Sequence, residues 1–132
     1  MTDLPPLLLI EDTPSLQMVY RSVLTNAGYT VRSASTAAEG MEAFLKSGAT
    51  VVLLDLMLPD RDGLDLMQEM LSLRPEATVI VITANGSINK AVEAMRAGAH
   101  EFLVKPFDET RFLGAVENAL AGRNIPRRAP GT

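Results

Sequence analysis

Short apolar segments alternate with longer amphipathic segments along this chain. Three of the short segments contain four consecutive apolar residues, and the other two are only partly apolar. In chain order the five segments are Leu7–Ile10, Tyr29–Ser33, Val51–Leu54, Val79–Ile82 and Glu101–Val104. Continuous apolar segments of this length are typical of strands that are buried on both faces of a sheet. We therefore predict five strands.

The amphipathic segments repeat apolar residues at the spacing of one helix face. The predicted buried faces are Leu16, Val19, Val23, Leu24 and Ala27 in the first helix; Ala37, Met41, Phe44 and Leu45 in the second; Leu66, Met67, Met70 and Leu71 in the third; Ile88, Ala91, Val92 and Met95 in the fourth; and Phe112, Val116, Ala119 and Leu120 in the fifth. The boundaries are marked by residues that start or stop helices, namely Pro14, Gly28, Thr36 with Glu39, Gly48, Pro75, Gly98 and Asp108. A helix is therefore expected after each strand.

Strands that alternate with helices form a parallel sheet covered by helices on both faces. Right-handed crossovers leave few topologies for so short a chain, and we predict a doubly wound α/β sheet of strand order 2-1-3-4-5. The predicted domain comprises residues 1–121. Residues 122–132 are rich in Pro, Gly and Arg and have no apolar face, so we expect a linker or disordered tail there.

Polar residues follow the predicted strands at the edge where a doubly wound sheet binds its ligands. Glu11 and Asp12 follow the first strand, Asp55 the third, Thr83 the fourth and Lys105 the fifth. Three carboxylates and one ammonium group leave two negative charges, which a divalent cation would neutralise. All the candidate ligands are oxygen atoms, so Mg²⁺ is the expected ion, and without it at least one carboxyl pKa should rise.

Composition and charge exclude several function classes. The 132 residues are 47% apolar and 21% charged, as in a single globular domain, and the net charge of −4 argues against binding of nucleic acid. The chain has no cysteine, which excludes thiolate metal sites and fits a reducing cytosol. No segment resembles a signal peptide or a membrane span, so a cytoplasmic location without membrane contact is expected.

Four motifs, "LLLIEDT", "VVLLDLMLPDRDG", "VIVITANGS" and "FLVKPF", resemble the response-regulator receiver domains of bacterial two-component signalling. The match covers residues 5 to about 121 and implies the flavodoxin-like (CheY-like) fold. The resemblance implies that Asp55 accepts a phosphoryl group from a sensor histidine kinase or phosphotransfer protein. It assigns Mg²⁺ binding to the acidic pair and Asp55, joined by the backbone carbonyl of Met57. Thr83 matches the switch hydroxyl, Lys105 the lysine that contacts the phosphoryl oxygens, and Phe102 the aromatic switch position.

The stretch "TANGSINKAVEAMRAGAHEFLVKPF" is similar to receivers of NtrC-type regulators, which act on sigma-54 promoters. This finer resemblance implies that an ATPase and a DNA-binding domain follow the receiver in a longer parent chain and that the domain controls transcription. The sequence does not fix the oligomeric state, and a homodimer through the face between the fourth and fifth helices, or through a neighbouring face, is one expectation. The resemblance to receiver domains also implies that the Lys105-Pro106 peptide bond is cis.

Three other functions remain alternatives. A stand-alone receiver would act by protein–protein interaction. An aspartyl-nucleophile phosphatase of the haloacid-dehalogenase type needs a second aspartate two residues after the nucleophile, where this chain has Met57; Asp60 and Asp62 are expected to be solvated turn residues. A nucleotide-binding module needs a glycine-rich loop after the first strand, and "EDTPS" contains no glycine.

Overall fold

The computed structural model describes residues 6–124 of the chain, and side chains as far as residue 121. In this part five parallel strands form one sheet of order β2-β1-β3-β4-β5, so the predicted fold class is confirmed. The elements are β1 (Leu7–Ile10), α1 (Pro14–Asn26), β2 (Val31–Ala34), α2 (Ala37–Ser47), β3 (Val51–Asp55), α3 (Gly63–Leu73), β4 (Thr78–Thr83), α4 (Ile88–Arg96), β5 (Glu101–Val104) and α5 (Glu109–Asn124).

Two apolar clusters lie on opposite faces of the sheet. One contains residues of α2, α3 and α4 and includes Phe44 and Met67, and the other contains residues of α1 and α5 and includes Leu24 and Phe112. The central strands β1 and β3 contribute alternate residues to the two clusters, which explains why their sequences are apolar throughout. Polar groups at the ends of these strands are therefore held on a rigid, buried support.

The prediction for α4 was wrong about which face is buried. Ile88, Val92 and Met95 are 79%, 44% and 47% exposed, whereas Ala94 is fully buried against the sheet. An apolar repeat identifies one face of a helix, but it does not show whether that face meets the sheet or the solvent. Here the small side chain of Ala94 makes the contact, and the larger apolar residues form a stripe on the surface.

Smaller differences occur at α1, α2 and the element ends. In α1, Tyr20 is buried in place of Val19, which is 53% exposed, and Leu45 of α2 is 56% exposed. The predicted N-cap of α5 is confirmed, because the Asp108 carboxylate accepts a hydrogen bond from the Arg111 amide at 2.7 Å. Helix α5 continues to Asn124, and the remainder of the predicted tail, residues 125–132, lies outside the described residues. Within residues 6–124 no helix is both long and apolar enough to cross a membrane.

Candidate functional site

The carboxyl ends of β1, β3 and β4 bring polar side chains into the interior of the protein. Glu11 is fully buried, Asp55 is 4% exposed and Thr83 is fully buried. Ile10 of β1 pairs with Leu54 of β3, so the residues that follow them, Glu11 and Asp55, lie side by side. The sheet register thus gathers groups that are far apart in the sequence.

Lys105 supplies the positive charge of this cluster. Its Nζ lies 2.7 Å from Glu11 Oε1 and 3.0 Å from Asp55 Oδ2. With these two contacts the ammonium group bridges the end of β1 and the end of β3. The Lys105-Pro106 peptide is cis, as predicted.

The pKa values of the buried pair reflect both desolvation and pairing. Burial raises the pKa of Glu11 above its ordinary value, and the hydrogen bond from Lys105 offsets this only in part, while the charge of Asp55 adds to the rise. Burial is also the largest effect on the Lys105 pKa, which it lowers, but the hydrogen bonds and charges of Glu11 and Asp55 together outweigh it and raise the Lys105 pKa. The predicted rise of a carboxyl pKa thus occurs at Glu11, but burial is its main cause and the repulsion from Asp55 on which the prediction rested is a smaller one.

Backbone amides fix the remaining side chains of the cluster. The Met57 amide donates to Asp55 Oδ1 at 3.0 Å, and the Asn85 amide donates to Thr83 Oγ1 at 3.1 Å. Phe102 is half-buried in β5 and packs against the apolar cluster of α2, α3 and α4. Its register partner in β4 is Val81, two residues before Thr83.

Three carboxylates of the described residues are close enough to share one cation. Glu11, Asp12 and Asp55 each offer an oxygen atom, and these atoms all lie within 4.8 Å of one another. Asp12 is more exposed than the other two and takes no part in the Lys105 contacts. An all-oxygen donor set with excess negative charge fits a hard divalent cation.

The loop from residue 56 to residue 62 borders the Asp55 carboxylate. Gly63 closes this loop, since its amide donates to the Leu56 carbonyl at 2.9 Å. A Cβ at Gly63 would lie 2.5 Å from Leu56 Cα and 2.9 Å from the Asp55 carbonyl oxygen, so only glycine fits. Met57 is 63% exposed and lines, with Thr83 and Asn85, a cavity of about 300 Å³ beside the cluster.

Sequence reasoning missed what Asp60 and Asp62 do. Both are exposed, as expected of turn residues, but each carboxylate binds backbone amides. Asp62 caps α3 by accepting a hydrogen bond from the Leu64 amide at 3.0 Å. Asp60 instead accepts from the Ala37 and Ala38 amides of α2, a contact between distant parts of the chain. An aspartate just before a glycine that starts a helix signals the Asp62 cap, whereas nothing local in the sequence signals the Asp60 contact.

Comparison with known proteins identifies the family. A family model described as the response regulator receiver domain matches residues 7–117. The chain belongs to this family. It is therefore a receiver domain of two-component signalling, and the expectation from the four sequence motifs is confirmed.

Relatives of this receiver domain include longer regulators. The luminescence regulatory protein LuxO of Vibrio campbellii is 38% identical over 112 residues, which are 85% of this chain and 25% of that protein. The transcriptional regulatory protein GlrR of Escherichia coli is 37% identical over 114 residues, 86% of this chain and 26% of that protein. The chain thus spans about a quarter of the length of these curated relatives.

Solved structures share the fold of this receiver domain. A CheY-like receiver domain protein from Methanospirillum hungatei superposes with a TM-score of 0.88 at 27% identity, covering 92% of this chain and 98% of that one. The receiver domain of a putative LuxO repressor from Vibrio parahaemolyticus gives a TM-score of 0.85 at 30% identity, covering 91% and 92%.

Proposed function

We propose that Asp55 accepts a phosphoryl group from the phosphohistidine of a sensor histidine kinase or phosphotransfer protein, in a reaction that requires Mg²⁺. One observation carries the proposal: a buried carboxylate at the end of β3 is paired with Lys105 at 3.0 Å and lies beside two further carboxylates. A paired, buried carboxylate among oxygen ligands is suited to attack phosphorus while the surrounding charges hold the phosphoryl oxygens.

In the proposed reaction an Asp55 carboxylate oxygen forms a bond to phosphorus as the bond from phosphorus to the donor nitrogen breaks. The imidazole of the donor leaves with the bonding electron pair and takes up a proton. Charge on the peripheral phosphoryl oxygens is then stabilised by the Lys105 ammonium group and the Thr83 hydroxyl. Glu11, Asp12, Asp55 and the Met57 carbonyl would hold Mg²⁺, which when bound would supply further neutralisation of that charge.

The proposed output is a change of the surface formed by α4, β5 and α5. A phosphoryl group adds negative charge and acceptor oxygens beside Thr83. Movement of Thr83 toward it would leave space on the β4 side into which the half-buried Phe102 can turn. The exposed stripe of Ile88, Val92 and Met95 lies on the adjoining helix and would shift with it.

The wider role is also a proposal. In this role an ATPase and a DNA-binding domain follow the receiver in a longer parent chain, which acts with sigma-54 in the cytoplasm. Two observations support it: the relative GlrR is a transcriptional regulatory protein, and the sequence resembles NtrC-type receivers. A homodimer through the α4–β5–α5 surface fits the exposed stripe, and no nucleic acid would bind to this domain itself. On this proposal the domain is a phosphoacceptor and not a turnover enzyme.

The function is tested by incubating the protein with acetyl phosphate and following its intact mass. We expect one phosphoryl group per chain in Mg²⁺ and almost none in excess chelator. Protein that takes no phosphoryl group under either condition, or that is labelled equally with and without Mg²⁺, would refute the proposal. Sustained release of phosphate from a phosphate ester would favour the phosphatase alternative instead.

Asp12→Asn should stabilise the metal-free protein and remove its response to Mg²⁺. The change relieves repulsion among three carboxylates within 4.8 Å, which we expect to raise the free energy of unfolding by about 1 kcal/mol at pH 7. Millimolar Mg²⁺ should stabilise the wild type by mass action but leave the variant almost unchanged. Urea denaturation with and without Mg²⁺ measures both effects. Glu117→Gln, which removes an exposed carboxylate of α5, should respond to Mg²⁺ like the wild type.

Met57→Asn should shorten the life of the phosphorylated state. Water must approach phosphorus in line with the bond to Asp55, and the Met57 thioether can shield that path but cannot donate a hydrogen bond to water. We expect the variant to lose its phosphoryl group several-fold faster, where a tenfold change would correspond to about 1.4 kcal/mol of barrier. Decay is followed by intact mass after removal of the donor, in Mg²⁺. Met18→Asn alters a methionine of similar exposure on α1 and should decay like the wild type; equal or slower decay of Met57→Asn would rule out shielding.

A further inference from the structure

A carboxylate next to the candidate site binds the beginning of a distant helix. Asp60 Oδ1 accepts a hydrogen bond from the Ala37 amide at 2.8 Å, and Oδ2 accepts one from the Ala38 amide at 3.1 Å. These amides belong to the first two residues of α2 and have no acceptor within the helix. The Ala37 hydrogen bond is the main cause of the lowered pKa of Asp60, so the carboxylate is charged at neutral pH. The contact is therefore charge-assisted.

Helix α2 already has a cap of its own. Thr36 Oγ1 accepts a hydrogen bond from the Glu39 amide at 3.1 Å, and Glu39 Oε1 accepts one from the Ser35 amide at 2.9 Å. The N-cap residue is Thr36, so Glu39 reaches back to the amide one residue before it, a variant of the capping box. Asp60 thus adds a second attachment to a helix end that is already capped. What this contact provides in addition is a link between α2 and the loop that contains Asp60.

The loop of residues 56–62 is held on its other sides by different contacts. Its base is closed by the bridge between Met57 and Asp62. Toward α3, Arg61 Nη1 lies 2.6 Å from Glu69 Oε1, and its Nη2 donates to the Asp65 carbonyl at 3.2 Å. Asp60 supplies the attachment on the opposite side, toward α2.

The position of this attachment relates it to the carboxylate cluster. Strand β1 lies between β2 and β3 in the sheet, and α2 follows β2. A link from the loop after β3 to the beginning of α2 therefore spans the end of β1, where Glu11 and Asp12 are located. The groups assigned to Mg²⁺ come from the end of β1 and from β3 with the loop that follows it, and none comes from α2.

We propose that Asp60 is a positioning residue for the metal site, because it holds the loop that carries the Met57 carbonyl close to the carboxylates of β1. This inference rests on the proposed function. It predicts that the loss of Asp60 weakens Mg²⁺ binding although Asp60 does not touch the ion.

The test compares Asp60→Ala with Thr36→Ala. Both variants remove a side-chain acceptor from the same helix end, but only the first releases the loop. Titration of Mg²⁺ followed by amide chemical shifts should show a Kd about tenfold higher for Asp60→Ala, as is usual when a supporting partner of a metal ligand is lost, and a Kd within about twofold of the wild type for Thr36→Ala. In metal-free protein the Met57 amide, which donates to Asp55, should exchange with solvent faster in Asp60→Ala only.

Three results would overturn the inference. An Asp60→Ala protein with the wild-type Kd and unchanged exchange at Met57 would show that the attachment does not position the loop. Equal weakening by Asp60→Ala and Thr36→Ala would assign the effect to the helix end. A wild-type protein that binds no Mg²⁺ would overturn the proposed function together with this inference, whereas the first two results leave the proposed function intact.

Discussion

Asp55→Asn is expected to accept no phosphoryl group from acetyl phosphate or from a phosphorylated kinase, where the wild type accepts one per chain. The amide nitrogen of asparagine is not a nucleophile, and its oxygen carries no full negative charge with which to attack phosphorus. The substitution keeps the size of the side chain and an oxygen that can accept the Met57 amide hydrogen bond. The fold and the neighbouring loop should therefore be preserved, and the variant should fail to be phosphorylated only because it lacks the nucleophile. The number of phosphoryl groups per chain is measured by intact mass in Mg²⁺.

The matched control is Asp62→Asn. Asp62 lies in the same loop and caps α3, and asparagine is an equally good N-cap, so this variant should be labelled like the wild type. Wild-type labelling of Asp55→Asn would contradict the assignment of the acceptor. Loss of labelling in both variants would point instead to a damaged loop.

Lys105→Ala is expected to lower stability and to separate phosphorylation from the structural response. The ammonium group contacts two buried carboxylates, and its removal leaves them uncompensated, a loss of about 3 kcal/mol at neutral pH in metal-free protein. The Glu11 pKa is already raised above its ordinary value of 4.5. Removing Lys105 raises the Glu11 pKa further, because the lysine lowers it. A carboxyl group whose pKa is raised by folding destabilises the protein at pH values above its unfolded pKa, and this cost disappears as the pH falls and the group takes up a proton. The difference in free energy of unfolding between the wild type and Lys105→Ala should therefore become smaller from pH 7.5 to pH 5. Added Mg²⁺ should also make this difference smaller.

The response itself can be followed at position 102. The chain contains no tryptophan, so Phe102→Trp introduces a single reporter. Phosphorylation should change the tryptophan fluorescence of the Phe102→Trp protein. The double variant that also carries Lys105→Ala should show no such change, even once it has been phosphorylated. Lys90→Ala, which removes a lysine of α4 paired with Glu93 at 3.5 Å, should keep the response. A full response without Lys105, or a stability gap that widens toward pH 5, would contradict the account.

Much of the candidate site could be predicted because it depends on the ends of strands. Four apolar residues followed by Asp55 indicate a buried strand with a charge at its end, and a parallel sheet brings such ends to one edge. The same reasoning gathered Glu11, Thr83 and Lys105. These residues lie at or just after the carboxyl ends of strands, where the chain leaves the sheet, so pattern and topology are enough to place them.

The features that were missed depend on how elements are oriented and on contacts between distant loops. The apolar repeat of α4 does not show that Ala94 faces the sheet and Met95 the solvent. The hydrogen bonds of Asp60 join residues 22 and 23 positions apart in the sequence, and no local motif marks them. The family resemblance assigned Mg²⁺ more directly to Asp12 than to Glu11, but it did not show that Glu11 is fully buried and paired with Lys105 while Asp12 is half-buried and outside that pair.

Borohydride reduction of the phosphorylated protein tests the central claim most directly. An aspartyl phosphate is an acyl phosphate, which borohydride reduces to homoserine while free carboxylates remain unchanged. Peptide mapping of protein treated with acetyl phosphate and Mg²⁺ should therefore find homoserine at position 55 and aspartate at positions 12, 60 and 62. Homoserine at another position, or stable phosphate on a hydroxyl or imidazole group, would contradict the account.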